Sequence, residues 1–467
     1  MNEDPSALLP EISLLAGAVT ALLGGSFLPR TRQWITRLIA VAALLVAGVS
    51  AALALGGPTQ MAFGAFTVDR TTGIVRLIVV AATLLVIGLG VDELAGTPRE
   101  SETYALLLLS ALGAVVMAAT DDLVVLAVSF LLGSIPLYGL IGMTRSRLAA
   151  EAALKAYLLG ALFNILLLLG ATILFGVGRG TGYPTLATGL AGAPPAAVVA
   201  GLLGVLGGLL FKAGAVPAHF WIPDAAQGAS TSAAAFLTTV PKVGALVALD
   251  RLVGVLPGSV DWPLLVALLA AMTMTLGNLA AFAQNDARRL LGWSTISQVG
   301  YLLLPVAATG RAAGALPALL VYLGGYAVTN LTAFAVVAAV PDRRSLTDFR
   351  GLSREHPWLA AALLVSLLSL VGTPPTALFI GKLSVFTAAW DAGAAWLVVV
   401  AAVNTVASLF YYLRWIAPTF RSHNVGDVGE NPPFPTRPWA YGAAVIAGVC
   451  TVGLGVGAGA LFAVVGG

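Results

Sequence analysis

Apolar residues run along this chain in blocks of roughly membrane length, separated by short polar breaks. The blocks fall at 8–28, 35–56, 74–91, 103–119, 122–143, 151–176, 196–216, 230–256, 263–284, 289–306, 314–340, 358–390, 394–417 and 439–465. A spanning helix needs ~20 apolar residues. The pattern therefore predicts an all-α polytopic membrane protein with about fourteen transmembrane helices and no soluble domain. The longest polar connections, 177–195 and 418–438, are too short to fold alone.

One stretch departs from this pattern, Leu209 to Leu249. An apolar run reaches Lys212, breaks near Gly214 and Pro217, and passes His219, Trp221, Asp224 and Gln227. It then resumes with Lys242 directly after Pro241. A lysine near the bilayer centre costs about 2.5–3.5 kcal/mol even on the lenient insertion scale. Broken helices at membrane depth survive where they are buried or line a cavity. A second stretch, LLSLVGTPPTALFIGKLSVF, repeats the theme: Gly372, Pro374 and Pro375 interrupt a run that carries Lys382. Paired interrupted helices point to an inverted-repeat transporter. We expect an N-terminal three-helix segment (1–102), two inverted five-helix repeats with two discontinuous helices (103–256 and 263–417), and a C-terminal helix (439–467).

Composition sharpens this. The chain is 59% hydrophobic and 10% charged. A net charge of +3 spread over many loops makes no basic stripe, so no nucleic-acid partner is expected; the bilayer is. Alternate loops hold fifteen arginines (30, 32, 37, 99, 145, 147, 288, 289, 343, 344, 350, 354, 414, 421 and 437), the others five (70, 76, 179, 251 and 311). The positive-inside bias places both termini on the non-cytoplasmic side. The acidic first residues lack the basic start of a signal peptide, so the first helix is expected to stay in the mature protein. A single cysteine, Cys450, excludes an Fe–S cluster or Cys-based metal site within the chain, and His219, His356 and His423 are too scattered for haem or metal. No phosphate-binding loop is present. No bound cofactor and no metal are expected, and no electrons should pass through this chain.

Charge type is also partitioned. Arginines occupy loops and helix ends, whereas all four lysines, Lys155, Lys212, Lys242 and Lys382, lie inside apolar segments. A buried lysine can release its proton near neutral pH; arginine cannot. The pattern suits a proton path through the four lysines. Ser294, Thr239, Gln298 and His219 are candidate relays among many intramembrane polar residues.

The residues that carry these features are similar to those of the antiporter-like membrane subunits of respiratory complex I (NADH-quinone oxidoreductase), most of all the N type. The resemblance rests on FKAGAVPAHFWIPDAAQGASTSAAAFLTTVPKVGAL, AQNDARRLLGWSTISQVGYLLL, GLSREHPWLAAALLVSLLSLVGTPPTALFIGKLSVF and EAALKAYLLGALF, between about 100 and 417. It implies a subunit that translocates protons, driven by redox chemistry in partner subunits of a complex I-like assembly in a bacterial inner membrane. It also implies a helix-five glutamate paired with the helix-six lysine, Lys155. Ungapped alignment on SFLLGSIPLYGL puts Leu131 where that glutamate belongs, so Lys155 is expected to face Leu131 as a lone desolvated amine. The missing carboxylate leaves two alternatives open: a divergent paralogue in an Mrp-type cation/proton antiporter or membrane hydrogenase module, or a non-pumping scaffold.

Overall fold

The computed structural model describes residues 5–258, 260–421 and 436–466; His423 and most of the 418–438 connection lie outside them. The chain begins with α1 (Leu9–Phe27), α2 (Trp34–Ala54), β1 (Gln60–Ala62), β2 (Phe66–Val68), α3 (Arg70–Leu94), α4 (Glu100–Ala119), α5 (Leu123–Gly142) and α6 (Arg147–Gly178). There follow α7 (Tyr183–Gly189), α8 (Pro195–Ala213), α9 (Trp221–Gly228), α10 (Thr231–Val253), α11 (Trp262–Phe282), α12 (Ala287–Ala307) and α13 (Ala315–Ala339). The last are α14 (Leu352–Glu355), α15 (Pro357–Val371), α16 (Ala377–Asp391), α17 (Ala395–Phe420), α18 (Pro438–Val456) and α19 (Ala458–Gly466).

Thirteen of these helices are long and apolar enough to cross a membrane. The one expected run outside these thirteen, 358–390, is the interrupted pair α15 and α16. The last run is likewise divided, into α18 and α19 at Gly457. One element was not expected from the apolar pattern: β1 and β2 form an antiparallel hairpin, turned at Phe63 and Gly64, which both take positive φ. Glycine adopts that conformation without a Cβ clash; phenylalanine does so only in a tight turn.

The least hydrophobic spans sit innermost. Every residue in the apolar window of α10 is buried, as are nearly all those of α12 and α13, whereas α1, α2, α6 and α17 turn most of their surface outward. Lipid-facing helices need apolar side chains all round; central ones satisfy polar groups against each other. Lys242 and the buried hydroxyls of Thr238, Thr239, Ser294, Thr295, Tyr322 and Tyr326 therefore lie in the α10–α12–α13 core.

Ion pairs and caps fasten the helices around that core. Arg76, buried in α3, donates to Glu11 of α1 at 2.8 and 2.9 Å and to the Ala7 carbonyl. Asp69 caps α3 and pairs with Arg251 at 2.7 Å. Burial works against its charge, yet the Arg251 guanidinium and the Thr72 amide hold its carboxyl below the usual range. At the other end of α3, Asp92 accepts the Trp439 and Ala440 amides at the start of α18. Beside it Glu93 accepts the Thr231 and Ser232 amides and the Ser232 hydroxyl, at 2.8–2.9 Å, at the start of α10. These carboxylates answer the unpaired N–H groups and positive dipole end of each helix. Glu93→Ala should cost about 1–2 kcal/mol, the scale of a lost helix cap, read as a fall in melting temperature. An unchanged melting temperature would mean the cap is idle.

Candidate functional site: the buried lysines

The first break follows directly from glycine. Gly214 ends α8 at φ 86°, and the chain loops through Pro217 to α9. The loop exposes backbone groups that side chains then recover: the Trp221 indole donates to the Phe211 carbonyl at 3.2 Å, and Thr273 accepts the Val216 amide at 3.1 Å. Lys212, 1% exposed, stands just before this break. Its Nζ donates to Ser134 Oγ of α5 at 2.9 Å and lies 5.5 Å from the centre of the Phe130 ring. A Cβ on Gly133 would sit 3.0 Å from that Nζ, so glycine is what leaves room for the amine. Lys242, on α10, is fully buried and finds no hydrogen-bond acceptor among the described residues; its Nζ lies 5.2 Å from the Trp221 ring centre. The Trp221 face supplies a cation–π surface in place of a counter-ion.

The second break is built the same way and used differently. Gly372 closes α15 at φ 94°, Pro374 and Pro375 follow, and α16 starts at Ala377. The last carbonyls of α15 lose their helical partners. Lys382 reaches back from α16 to two of them, Leu370 at 3.1 Å and Val371 at 2.8 Å, with the Tyr301 ring centre 4.2 Å away. Gln298 donates to the same Leu370 carbonyl at 2.9 Å and accepts from the Tyr322 hydroxyl at 2.5 Å. One carbonyl thus joins Lys382 to Gln298.

Between the two breaks α13 lays down a polar stripe at four-residue spacing, Tyr322, Tyr326 and Asn330. Tyr326 donates to the Thr238 carbonyl (2.8 Å) and to Thr295 Oγ1 (3.0 Å). The Asn330 amide donates to Thr238 and Thr239 hydroxyls at 3.0 and 2.9 Å, one turn before Lys242. Thr239 and Gln298 therefore join the stripe. Ser294 belongs to a second network. It shares a 2.6 Å hydrogen bond with Tyr412, whose neighbour Tyr411 donates to Asn278 at 3.0 Å; Asn278 in turn donates to Asn404 of α17. Tandem tyrosines in an apolar helix are the sequence signal for this branch, and the sequence reading passed over them. His219 is buried against the Phe220 and Trp293 rings.

Two expectations fail. Lys155 is not a lone desolvated amine: its side chain is 45% exposed and lies 2.7 Å from Glu151 and 2.9 Å from Asp224. Nor does it face Leu131. Helices α5 and α6 run antiparallel, with Tyr138 against Tyr157 and Gly142 close to Ala153. Leu131 lies about 10 Å further along α5 at 1.5 Å per residue. There it lines an outward-facing apolar groove with Leu168 and Phe175. The lysine that does meet α5 is Lys212. The register of the antiparallel α5–α6 pair decided this, and an ungapped alignment carries no information on how two helices pair.

The family model described as NADH:quinone oxidoreductase/Mrp antiporter, TM, matches residues 120–408. The chain is 56% identical over 464 residues to NADH-quinone oxidoreductase subunit N of Mycobacterium sp. (strain JLS), covering 99% of this chain and 98% of that one. It is 51% identical over 461 residues to subunit N 1 of Streptomyces griseus, covering 98% and 97%. Among solved structures it matches a chain of respiratory complex I from Thermus thermophilus with a TM-score of 0.83 at 35% identity, over 97% and 98% of the two chains. A chain of the Mrp complex from Dietzia sp. shares the fold alone, with a TM-score of 0.86 at 24% identity over 99% and 96%. The chain belongs to the NADH:quinone oxidoreductase/Mrp antiporter family of transmembrane proteins.

Proposed function

We propose that this chain is the N-type proton-translocating membrane subunit of a complex I-type NADH-quinone oxidoreductase. It moves protons through buried lysines while partner subunits carry out the redox chemistry. One observation carries the reading: three buried lysines, two beside the first helix break and one at the second, with a hydroxyl and amide stripe between them. A proton held on Lys212 passes to Lys242 across the first break. It continues to Lys382 along water held by Thr238, Thr239, Asn330, Thr295, Tyr326, Tyr322 and Gln298; the carboxamides and the Leu370 carbonyl, to which Gln298 and Lys382 both donate, position that water and do not themselves pass the proton. Lys242 Nζ and Asn330 Oδ1 lack protein partners among the described residues. Buried polar atoms of this kind are ordinarily met by water, which would complete the transfers. The two five-helix repeats, 103–256 and 263–417, supply one break each. Loop arginines set both termini on the non-cytoplasmic face of a bacterial inner membrane. Cofactors belong to the partners, and this chain acts as the translocase part of the enzyme.

A second reading, a non-pumping scaffold, is favoured by one fact: no carboxylate among the described residues contacts Lys212. Isolation decides the first question. The chain should co-purify with other hydrophobic subunits, and the assembled complex should pump protons only when oxidising its donor. A monomer that transports protons alone in liposomes would overturn the proposal; assembly without pumping through this chain would leave the scaffold.

A further inference from the structure

Lys155 meets α9 in a charge cluster that lies apart from the buried stripe. Its Nζ sits 2.9 Å from Asp224 Oδ2. The other oxygen of the same carboxylate takes Arg289 Nη1 from α12 at 2.5 Å. That guanidinium also donates to Gln227 of α9 at 3.2 Å, and its Nε donates to Gln284 at 3.1 Å. One carboxylate on an eight-residue helix is thus gripped by a cation from α6 on one side and a cation from α12 on the other.

The grip matters because of what α9 carries. Its first residue is Trp221, whose indole closes the first break onto the Phe211 carbonyl and whose ring faces Lys242. Its inner side packs on α12 at Gly292, where a Cβ would come 2.9 Å from Pro223 Cα. Sliding or tilting α9 would move Trp221 away from Lys242. Among the described residues nothing connects Lys155 itself to the buried lysines: its polar partners are Glu151 and Asp224, and the polar partner of Lys212 is Ser134.

We infer that Lys155 is a positioning residue of fixed charge, not a proton carrier: with Arg289 it clamps Asp224 and so holds α9, and Trp221 with it, against Lys242. This rests on the proton-translocating reading above. A clamp needs a cation and nothing more, so arginine should serve in place of lysine. A proton carrier needs a group that lets go, so arginine should fail.

The test uses the assembled complex in inverted membrane vesicles, with protons pumped per electron pair measured beside quinone reduction. Lys155→Arg should pump within about twofold of the parent. Lys155→Met should lose up to about fivefold, the fold-change of the ~1 kcal/mol that an exposed ion pair contributes. Combined with Asp224→Asn it should add little to the loss from Asp224→Asn alone, because both act through one contact. Rescue by arginine with a non-additive cycle supports the clamp. Lys155→Arg as damaging as Lys155→Met overturns it, and so does a harmless Lys155→Met. Should Lys155→Met fail to assemble, the arginine variant still decides. Lys212→Arg in the same vesicles keeps the two questions apart: normal pumping there would remove the proton-carrying reading itself, whatever Lys155 does.

Discussion

Lys212→Met should abolish most redox-driven pumping, by about tenfold or more on the scale of a lost proton-transfer group, while the complex still assembles. The side chain is 1% exposed and its partners are one hydroxyl and one aromatic face. Removing the charge also removes its desolvation cost, so stability should change little. Lys212→Arg should be nearly as damaging as methionine. Arginine keeps its proton, and its larger head must fit where Gly133 leaves room for an amine. Proton uptake by vesicles, set against quinone reduction, reads the result. Normal stoichiometry in the arginine variant would mean that Lys212 does not release a proton. Lys382→Met should differ in kind. Its ammonium caps the Leu370 and Val371 carbonyls at the second break; methionine leaves Leu370 with its Gln298 bond but strips Val371 of this donor, a desolvation penalty of about 1–3 kcal/mol. Pumping and melting temperature should fall together there.

Leu131→Glu should lower assembly yield and melting temperature, by about 2.5–3.5 kcal/mol, the cost of a charged group in the bilayer core. Were Leu131 opposite Lys155, the new acid would find a partner and the cost would shrink. The structure gives the contrary result. Leu131 is 37% exposed and lines an apolar groove with Leu168, which is thirteen residues beyond Lys155, about 20 Å along α6. A double-mutant cycle of Leu131→Glu with Lys155→Met should therefore give a coupling energy near zero. Coupling above about 0.5 kcal/mol would mean that α5 and α6 pair in a different register from the one described.

The sequence by itself determined the spans, because an unpaired backbone in lipid forces long apolar helices. It determined both breaks as well, because Gly214 and Gly372 stand at φ above 80° and prolines follow. The placing of lysine within apolar spans marked four sites, Lys155, Lys212, Lys242 and Lys382, and the last three are buried; the matching restriction of arginine to loops and helix ends fails at Arg76, which is buried in α3. Only the tertiary structure decided what each side chain meets. Lys155 also sits in an apolar run, with Glu151 one turn before it, yet it opens to the ion cluster because α9 brings Asp224 alongside it. Arg76 and Glu11, sixty-five residues apart, pair inside the bundle, and Tyr411 and Tyr412 enter the polar network through contacts with α11 and α12. Leu131 turns outward although its helix also supplies Ser134 to Lys212. Spacing along a helix fixes which residues share a face; the direction of that face is set by the helices packed around it.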